Sequence, residues 1–248
     1  MDTSINEQAL FYSSISKYYS GIFPYKPVQL QFIINGLGGL QGKNILDIGC
    51  ATGELSYQLA NAGANVIGID LNEDLLAQAK KLRNHPNARF QAGDMLNLTE
   101  LFEPGYFDAI ICFGNTLVHL QDIGQVREML EGARTVLKPG GGFFLQILNY
   151  DYILGNRIEE LPVIEDGSVK FIRKYIFTGG PTIRFNTQLV LKKDGQSISN
   201  ETSLLALGSS DLKKVLEQAG FNSLQFYADF KENAFGGNHL PLVARCKV

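Results

Sequence analysis

The sequence predicts an α/β protein: a doubly wound, mostly parallel sheet that carries an antiparallel β insertion. Three observations carry that prediction. Five short apolar runs between residues 45 and 148 alternate with stretches of helical periodicity, a pattern that means parallel strands joined by right-handed helical crossovers. The first run passes directly into a glycine turn, and the second ends on a carboxylate, Asp70. After Asn149 the pattern changes to the alternation of half-buried antiparallel strands, followed by one helix and two closing strands.

Ahead of the sheet, Phe11, Ile15, Tyr18, Tyr19 and Ile22 recur at helical spacing until Pro24 and Pro27 interrupt them. A second helix runs from about Val28 to Asn35 and stops in Gly36-Leu37-Gly38-Gly39. Tyr18 and Tyr19 either dock this segment onto the core or close over a ligand, and spacing alone favours docking. The opening strand and turn lead into a helix over Glu54–Ala62, stopped by Gly63. A second strand, Asn65–Ile69, ends at Asp70, and Asn72 is a good N-cap for a helix carrying Leu75, Leu76, Ala79 and Leu82. Arg89–Gly93 is a third strand, ending in Asp94 and Met95, and Phe107–Phe113 is a fourth. The helix over Asp122–Leu137 precedes a Lys138–Gly142 turn and a fifth strand, Phe143–Leu148. Val169–Thr178, Thr182–Lys192 and Ile198–Ala206 read as the antiparallel insertion, with turns at Gly179-Gly180-Pro181 and Asp194-Gly195. A helix starting at Ser210 or Asp211 ends at Ala219, and Leu224–Tyr227 and Leu240–Lys247 form a reversed final pair at the sheet edge.

The turn is where chemistry enters. Its layout, with a carboxylate roughly 20 residues further on, follows the logic of nucleotide sites in doubly wound sheets. The motif itself, Asp47-Ile48-Gly49-Cys50-Ala51-Thr52-Gly53, is not a dinucleotide fingerprint, because Asp47 ahead of the glycines would repel a pyrophosphate. An acidic turn suits a ligand with positive charge, and S-adenosylmethionine carries a sulfonium and an ammonium.

Bulk properties narrow the field further. The chain has 248 residues, 45% of them apolar and 19% charged, with a net charge of -3 and no long run of lysine or arginine. Such a surface argues against nucleic-acid and anionic-membrane partners and for a small-molecule substrate. Cys50, Cys112 and Cys246 are too far apart in sequence for a disulfide framework or a metal site and read as core residues in a reducing compartment. The N-terminus, Met1 to Glu7, lacks an apolar region typical of a secretory signal, so the expected location is cytoplasmic. Oligomeric state is left open.

From about Ile45 to Val248 the chain resembles class I S-adenosylmethionine-dependent methyltransferases. The likeness rests on Leu46-Asp47-Ile48-Gly49-Cys50-Ala51-Thr52-Gly53, Gly68-Ile69-Asp70, Gly93-Asp94-Met95, Phe107-Asp108-Ala109-Ile110, Leu137-Lys138-Pro139-Gly140-Gly141 and Leu216-Glu217-Gln218-Ala219-Gly220-Phe221, in the family's order. Ala51 departs from a common glycine, without an expected loss of binding. The resemblance implies a seven-stranded sheet of order 3-2-1-4-5-7-6, last strand reversed, with the methyltransferase core at 41–149 and 208–248, an N-terminal helical lid at 1–40 and an inserted cap at 150–207. A narrower likeness, to glycine and sarcosine N-methyltransferases, rests on Cys112–Leu120, Asn149–Leu154 and Asp229-Phe230-Lys231.

The resemblance also implies roles. Gly49, Cys50, Ala51 and Gly53 form the turn beside the cofactor's methionine portion, with Asp47 near its ammonium. Asp70 accepts from both ribose hydroxyls, which requires two acceptor oxygens. Asp94 and the Met95 amide face the adenine, with Leu71 and Met95 enclosing the ring; either could equally be plain core. Phe113 and Gly114 flank the transferable methyl. His119, Asn115, Asn149 and Tyr19 are the acceptor-side candidates, with Tyr150 a candidate or a core residue. Arg173 and Arg184 are loose candidates for gripping an acceptor carboxylate. No metal-ligand cluster is evident, and direct in-line displacement needs alignment more than a strong base. The expected activity is methyl transfer from S-adenosylmethionine, with S-adenosylhomocysteine as product, to a small amine or amino-acid nitrogen. The alternatives are small-molecule O- or C-methylation and, further off, a non-catalytic cofactor-binding protein or a nicotinamide oxidoreductase.

Overall fold

The computed structural model describes residues 11–248. The reading of Met1 to Glu7 as lacking a secretory signal, and the first ten residues of the expected lid, lie outside the described residues.

The main sheet is built on β1 (Asn44–Ile48), whose last four residues are buried. Parallel to it lie β2 (Asn65–Asp70) and β4 (Phe107–Cys112) on either side, with β3 (Ala88–Ala92) beyond β2 and β5 (Leu137–Leu148) beyond β4. The closing strands are β10 (Asn222–Tyr227) and β11 (Pro241–Lys247). β11 inserts between β5 and β10 and runs antiparallel to both, giving the order β10-β11-β5-β4-β1-β2-β3. This is the expected seven-stranded topology with its reversed last strand.

Helices cover both faces because each presents one apolar stripe. On one face α4 (Ile123–Val136) buries Val126, Met129, Leu130, Ala133 and Val136, beside α6 (Ser209–Gln218) with Leu212, Val215 and Leu216. On the other, α1 (Pro27–Leu37) buries Phe32 and Ile33, and α2 (Glu54–Asn61) adds Leu59 and Ala60. α1 ends at Gly38, which is left-handed at φ +69°. α3 (Glu73–Leu82) is capped by Asn72, whose Oδ1 accepts from the Leu75 amide, as expected.

A second sheet holds β6 (Glu160–Glu165), β7 (Val169–Phe177), β8 (Thr182–Leu191) and β9 (Ser197–Leu205) in sequential antiparallel order. Its Tyr175, Ile183, Leu204 and Leu205 join the main core. Val169, Phe171 and Leu189 pack instead against Phe11, Ile15 and Ile22 of the helical N-terminal stretch.

Several details differ from the expectations. The insertion has four strands, not three: β6 is a largely exposed edge strand with Pro162 in an irregular stretch, which breaks the alternation that would mark it. A six-residue helix, α5 (Tyr150–Gly155), precedes it. The expected Lys138–Gly142 turn lies within β5 as an outward loop, since Phe107 pairs with Leu137 and Ala109 with Gly142. Short helical turns at Met95–Asn97 and Leu98–Leu101 occupy part of the link to β4. Leu82, placed on an apolar face by spacing, is 51% exposed at its helix end. α6 starts at Ser209 without a side-chain cap of its own. The Asp151 carboxylate does that work, accepting from the Ser209 amide at 3.1 and 3.3 Å.

Candidate active site

The glycine turn is folded by the strand beside it. The Gly49 and Cys50 amides both donate to the Ile69 carbonyl, at 2.8 and 3.0 Å, which turns the chain sharply at the end of β1. Gly49 has φ +70°, and a β-carbon there would come within 2.6 Å of the Thr116 side chain. Gly53 has φ +72°, and a β-carbon there would strike Phe90 at 2.5 Å. Ala51 also lies in the left-handed region, at φ +48°, which explains why glycine is common at this position. Its amide donates to Asp70 Oδ2 at 2.9 Å, while Oδ1 accepts from the Asn72 amide at 2.9 Å. Asp70 is thus held rigidly at the end of β2, each oxygen keeping acceptor capacity.

Asp47 is buried beneath the turn, and Ser56 Oγ of α2 donates to its Oδ2 at 2.6 Å. Burial pushes its carboxyl up to about 7, the Ser56 bond opposes this, and the charge of Asp70 adds to it. Asp70 is raised as well, chiefly by burial, against the hydrogen bonds from its backbone donors. Two crowded carboxylates of this kind are a site in want of a cation.

A cavity opens between the ends of β1, β2, β3 and β4, lined among others by Gly49, Ala51, Asp70, Leu71, Met95, Gly114, His119 and Tyr19 from the expected set. Gly114 has φ +77° and a β-carbon there would meet nothing within 4 Å. Tyr12, Ile48, Asn72, Leu75, Gly93 and Thr116 line it too and were missed. Tyr12 lies seven residues before Tyr19, two helical turns and hence one face, and that spacing was a usable signal. The sequence marks Asn72 only as a cap.

The N-terminal stretch closes over this cavity. Tyr12 Oη lies 3.2 Å from His119 Nε2, Ser13 Oγ accepts from Asn72 Nδ2 at 3.1 Å, and Ser20 Oγ lies 3.1 Å from Thr52 Oγ1. Burial pushes the His119 imidazolium down to about 4, so the ring is neutral near pH 7. Tyr12 and Tyr19 are both held protonated, first by burial; the charge of Asp70 also raises Tyr12, while that of Tyr12, then Asp70, Cys50 and Asp47, raises Tyr19.

Other expected residues sit elsewhere. The Cys50 side chain is core, clustered with Leu76, Ala79 and Phe90. Phe113 points to the opposite layer and packs on Phe230 at 4.8 Å between ring centres. Asp94 adjoins the lining residues Gly93 and Met95, but its carboxylate accepts from the Leu96 amide. Asn115, at φ +68°, ties β4 to β5 by accepting from the Leu148 amide at 2.9 Å, and donates to Tyr150 Oη at 3.3 Å. Asn149 is buried, caps α5 and donates to the His239 carbonyl. Tyr150 is fully buried core. Arg184 is exposed and pairs with Glu201 at 3.5 Å. Arg173 donates to the Pro162 carbonyl at 2.7 Å, bracing the irregular β6 edge.

No group of three or more His, Cys, Asp or Glu among the described residues is placed to hold a metal ion. Among the same residues no helix is long and apolar enough to cross a membrane.

The reversed seven-stranded sheet and the acidic glycine turn define a class, the class I S-adenosylmethionine-dependent methyltransferase fold. Comparison with known proteins agrees: residues 45–141 match the family model described as a methyltransferase domain. A ubiquinone biosynthesis O-methyltransferase of Idiomarina loihiensis is 35% identical over 125 residues, which is 50% of this chain and 49% of that protein. The counterpart of the same name from Acinetobacter baumannii (strain AYE) is 31% identical over 125 residues, 50% of this chain and 51% of the relative. The match thus spans about half the length of these curated relatives. Solved structures match along nearly the whole chain. An S-adenosylmethionine-dependent methyltransferase of Clostridium acetobutylicum has a TM-score of 0.78 at 20% identity, covering 98% of both chains. The CcbJ methyltransferase of Streptomyces caelestis has a TM-score of 0.79 at 19% identity, covering 99% of this chain and 98% of its own. CalS10, an amino pentose methyltransferase whose structure is described with S-adenosylmethionine bound, has a TM-score of 0.61 at 17% identity, covering 99% of this chain and 92% of its own. These likenesses establish the fold. The narrower glycine and sarcosine branch rests on the sequence segments alone.

Proposed function

We propose that the protein transfers a methyl group from S-adenosylmethionine, by in-line displacement, to a nitrogen of a small-molecule acceptor. The observation that carries this reading is the fixed pair of acidic groups at the glycine turn. Asp70 presents two oriented oxygens at the end of β2 for a ribose diol, and buried Asp47 lies under the turn for an ammonium. The open space at Gly114 fits a ligand that approaches the backbone closely, while Gly49 lets Thr116 pack against the turn. Bound there, S-adenosylmethionine supplies an electrophilic methyl on a positive sulfur.

The chain's own residues then align and shield. Met95 and Leu71 flank the adenine, with Asp94 beside them. Tyr12, Tyr19 and His119 form the acceptor wall and exclude water. Neutral His119 adds no positive charge next to the sulfonium and holds the acceptor by a hydrogen bond. Asn115 and Asn149 act indirectly, by fixing the ends of β4 and β5. Residues 11–23 serve as the lid and 150–207 as the cap, around a core at 41–149 and 208–248. Nitrogen is favoured over oxygen because the one histidine in the cavity wall is depressed to about 4, too weak a base for a hydroxyl. The full-length likeness to an amino pentose methyltransferase points the same way, whereas the half-length relatives named for O-methylation favour oxygen. Three buried free cysteines fit a reducing, cytoplasmic setting.

Calorimetry tests the cofactor. Micromolar-scale binding of S-adenosylmethionine and S-adenosylhomocysteine is expected, and none of NAD. Asp70→Ala is expected to weaken binding on the order of 100-fold, about 3 kcal/mol, from the loss of hydrogen bonds to a charged group. Normal binding by this variant would sink the ribose assignment.

A further inference from the structure

Resting on the reading above, we propose that the acceptor wall selects an amine on an apolar or aromatic frame that carries no carboxylate, which excludes amino acids as preferred acceptors. Three observations lead there. The first is the sign of charge. Among the described residues lining the cavity there is no lysine or arginine, and the charged side chain present is the carboxylate of Asp70, with Asp47 behind the same turn. S-adenosylmethionine brings a net charge of about +1 (two cationic groups and one carboxylate), which Asp70, with Asp47 behind it, offsets, so the described lining has no positive charge to spare for an acceptor. A second carboxylate would lie beside Asp70 without a cationic partner, whereas an amine drawn in as its ammonium gives its proton to water before the site closes, and its lone pair then attacks the methyl.

The second observation concerns the arginines. Arg184 is exposed and paired with Glu201. Arg173 donates through Nη2 to the Pro162 carbonyl, keeps its Nε buried without a partner, and lies over the Phe171 ring at 5.9 Å, on the side of the cap. Neither lines the cavity.

The third is a closed circuit of aromatic rings. Phe11 meets Tyr12 at 4.9 Å, Tyr12 meets Tyr19 at 6.2 Å, Tyr19 meets Phe23 at 5.1 Å, Phe23 meets Phe171 at 5.8 Å, and Phe171 returns to Phe11 at 6.3 Å. Tyr12 and Tyr19 face the cavity, while Phe23 is 37% exposed, so the circuit runs from the wall of the site to the surface. Aromatic faces attract cations and apolar frames and offer a carboxylate nothing.

The test uses matched acceptors that differ by one carboxylate: 2-phenylethylamine against phenylalanine, and tyramine against tyrosine, with the full chain and labelled methyl donor. The amine of each pair is expected to show at least a tenfold higher kcat/KM. Phe23→Arg, which sets a cation at the outer end of the circuit, is expected to narrow that ratio severalfold by raising the amino acid's kcat/KM. The melting temperature of this variant's core should stay as in the unaltered protein. A preference for the amino acids overturns the proposal, and loss of that preference in Arg173→Ala would locate the carboxylate's partner. Absence of turnover with both amines, while calorimetry records S-adenosylmethionine bound, also overturns it and leaves the cofactor reading standing. Failure of S-adenosylmethionine to bind would instead remove the reading beneath it.

Discussion

Asp47 is buried at a cost to stability that the ammonium of the proposed cofactor would offset. In the unfolded chain its carboxyl titrates near the ordinary value of about 4; in the fold it is raised to about 7. A folded value above the unfolded one means that this contribution to stability is fully present below about pH 4 and is lost as the pH rises through 7. The difference of about three units corresponds to a penalty on the order of 4 kcal/mol above pH 8. Asp47→Asn keeps an acceptor for Ser56 and removes the charge. Its denaturation midpoint should match the unaltered protein below about pH 4, exceed it increasingly between about pH 4 and 7, and hold that margin above pH 8, while its affinity for S-adenosylmethionine falls. A variant less stable than the unaltered protein at pH 8 would show that the charge is compensated by something other than a ligand. The sequence made Asp47 legible as an acid before a glycine turn, but not its depth, because burial depends on what β2 and β4 lay beside it.

At the scale of elements, legibility followed periodicity. The five parallel strands declared themselves as short apolar runs, and α2, α3 and α4 by one repeating apolar face, signals fixed within the segment itself. β6 did not, since an edge strand with an exposed face and a proline carries no such repeat. Site residues divided along the same line. Asp70 and Gly49 are set by their own strand ends, whereas the directions of Phe113 and Asn149 depend on Phe230 and His239, more than 80 residues away in sequence. The start of α6 is the clearest case: its cap is not Ser210 or Asp211 but Asp151, from the helix that opens the insertion. Gly208 leaves the room for it, since a β-carbon there would stand 2.7 Å from Asp151 Oδ1. Asp151→Ala should therefore cost about 1 kcal/mol in denaturant unfolding, through the orphaned amides at the start of α6 and the lost charge beside them. Asp151→Asn should recover part of it. An unchanged midpoint in the alanine variant would mean that water caps the helix equally well.

At the scale of the whole molecule, the second sheet joins the main core directly, and the N-terminal stretch ties it to the cavity as well. Phe11, Ile15 and Ile22 are buried against the second sheet, and Tyr12, Ser13 and Ser20 reach side chains of three loops around the cavity. The stretch therefore senses both the cap and the cofactor site. Its attachment is slight compared with a core strand: a few buried side chains and side-chain hydrogen bonds oppose the ordering entropy of a dozen residues, two terms of similar size. Such a segment opens locally at far lower free energy than the sheet beneath it. That opening would give a cofactor lodged under it a way in and out. Bound S-adenosylhomocysteine would rest against Tyr12, Tyr19 and the loop carrying Thr52, and add contacts present only when the segment is closed. Amide hydrogen exchange over residues 11–23 should accordingly be fast in the free protein and slow at least tenfold with saturating S-adenosylhomocysteine, with β1 and β4 slow in both states. Combining Tyr12→Phe with Ser20→Ala removes two of the three ties and leaves the apolar contacts intact. That variant should release S-adenosylhomocysteine severalfold faster, with little change in the melting temperature of the core. If residues 11–23 exchange as slowly as β4 without any ligand, the segment is a fixed wall, and the cofactor must pass by another route.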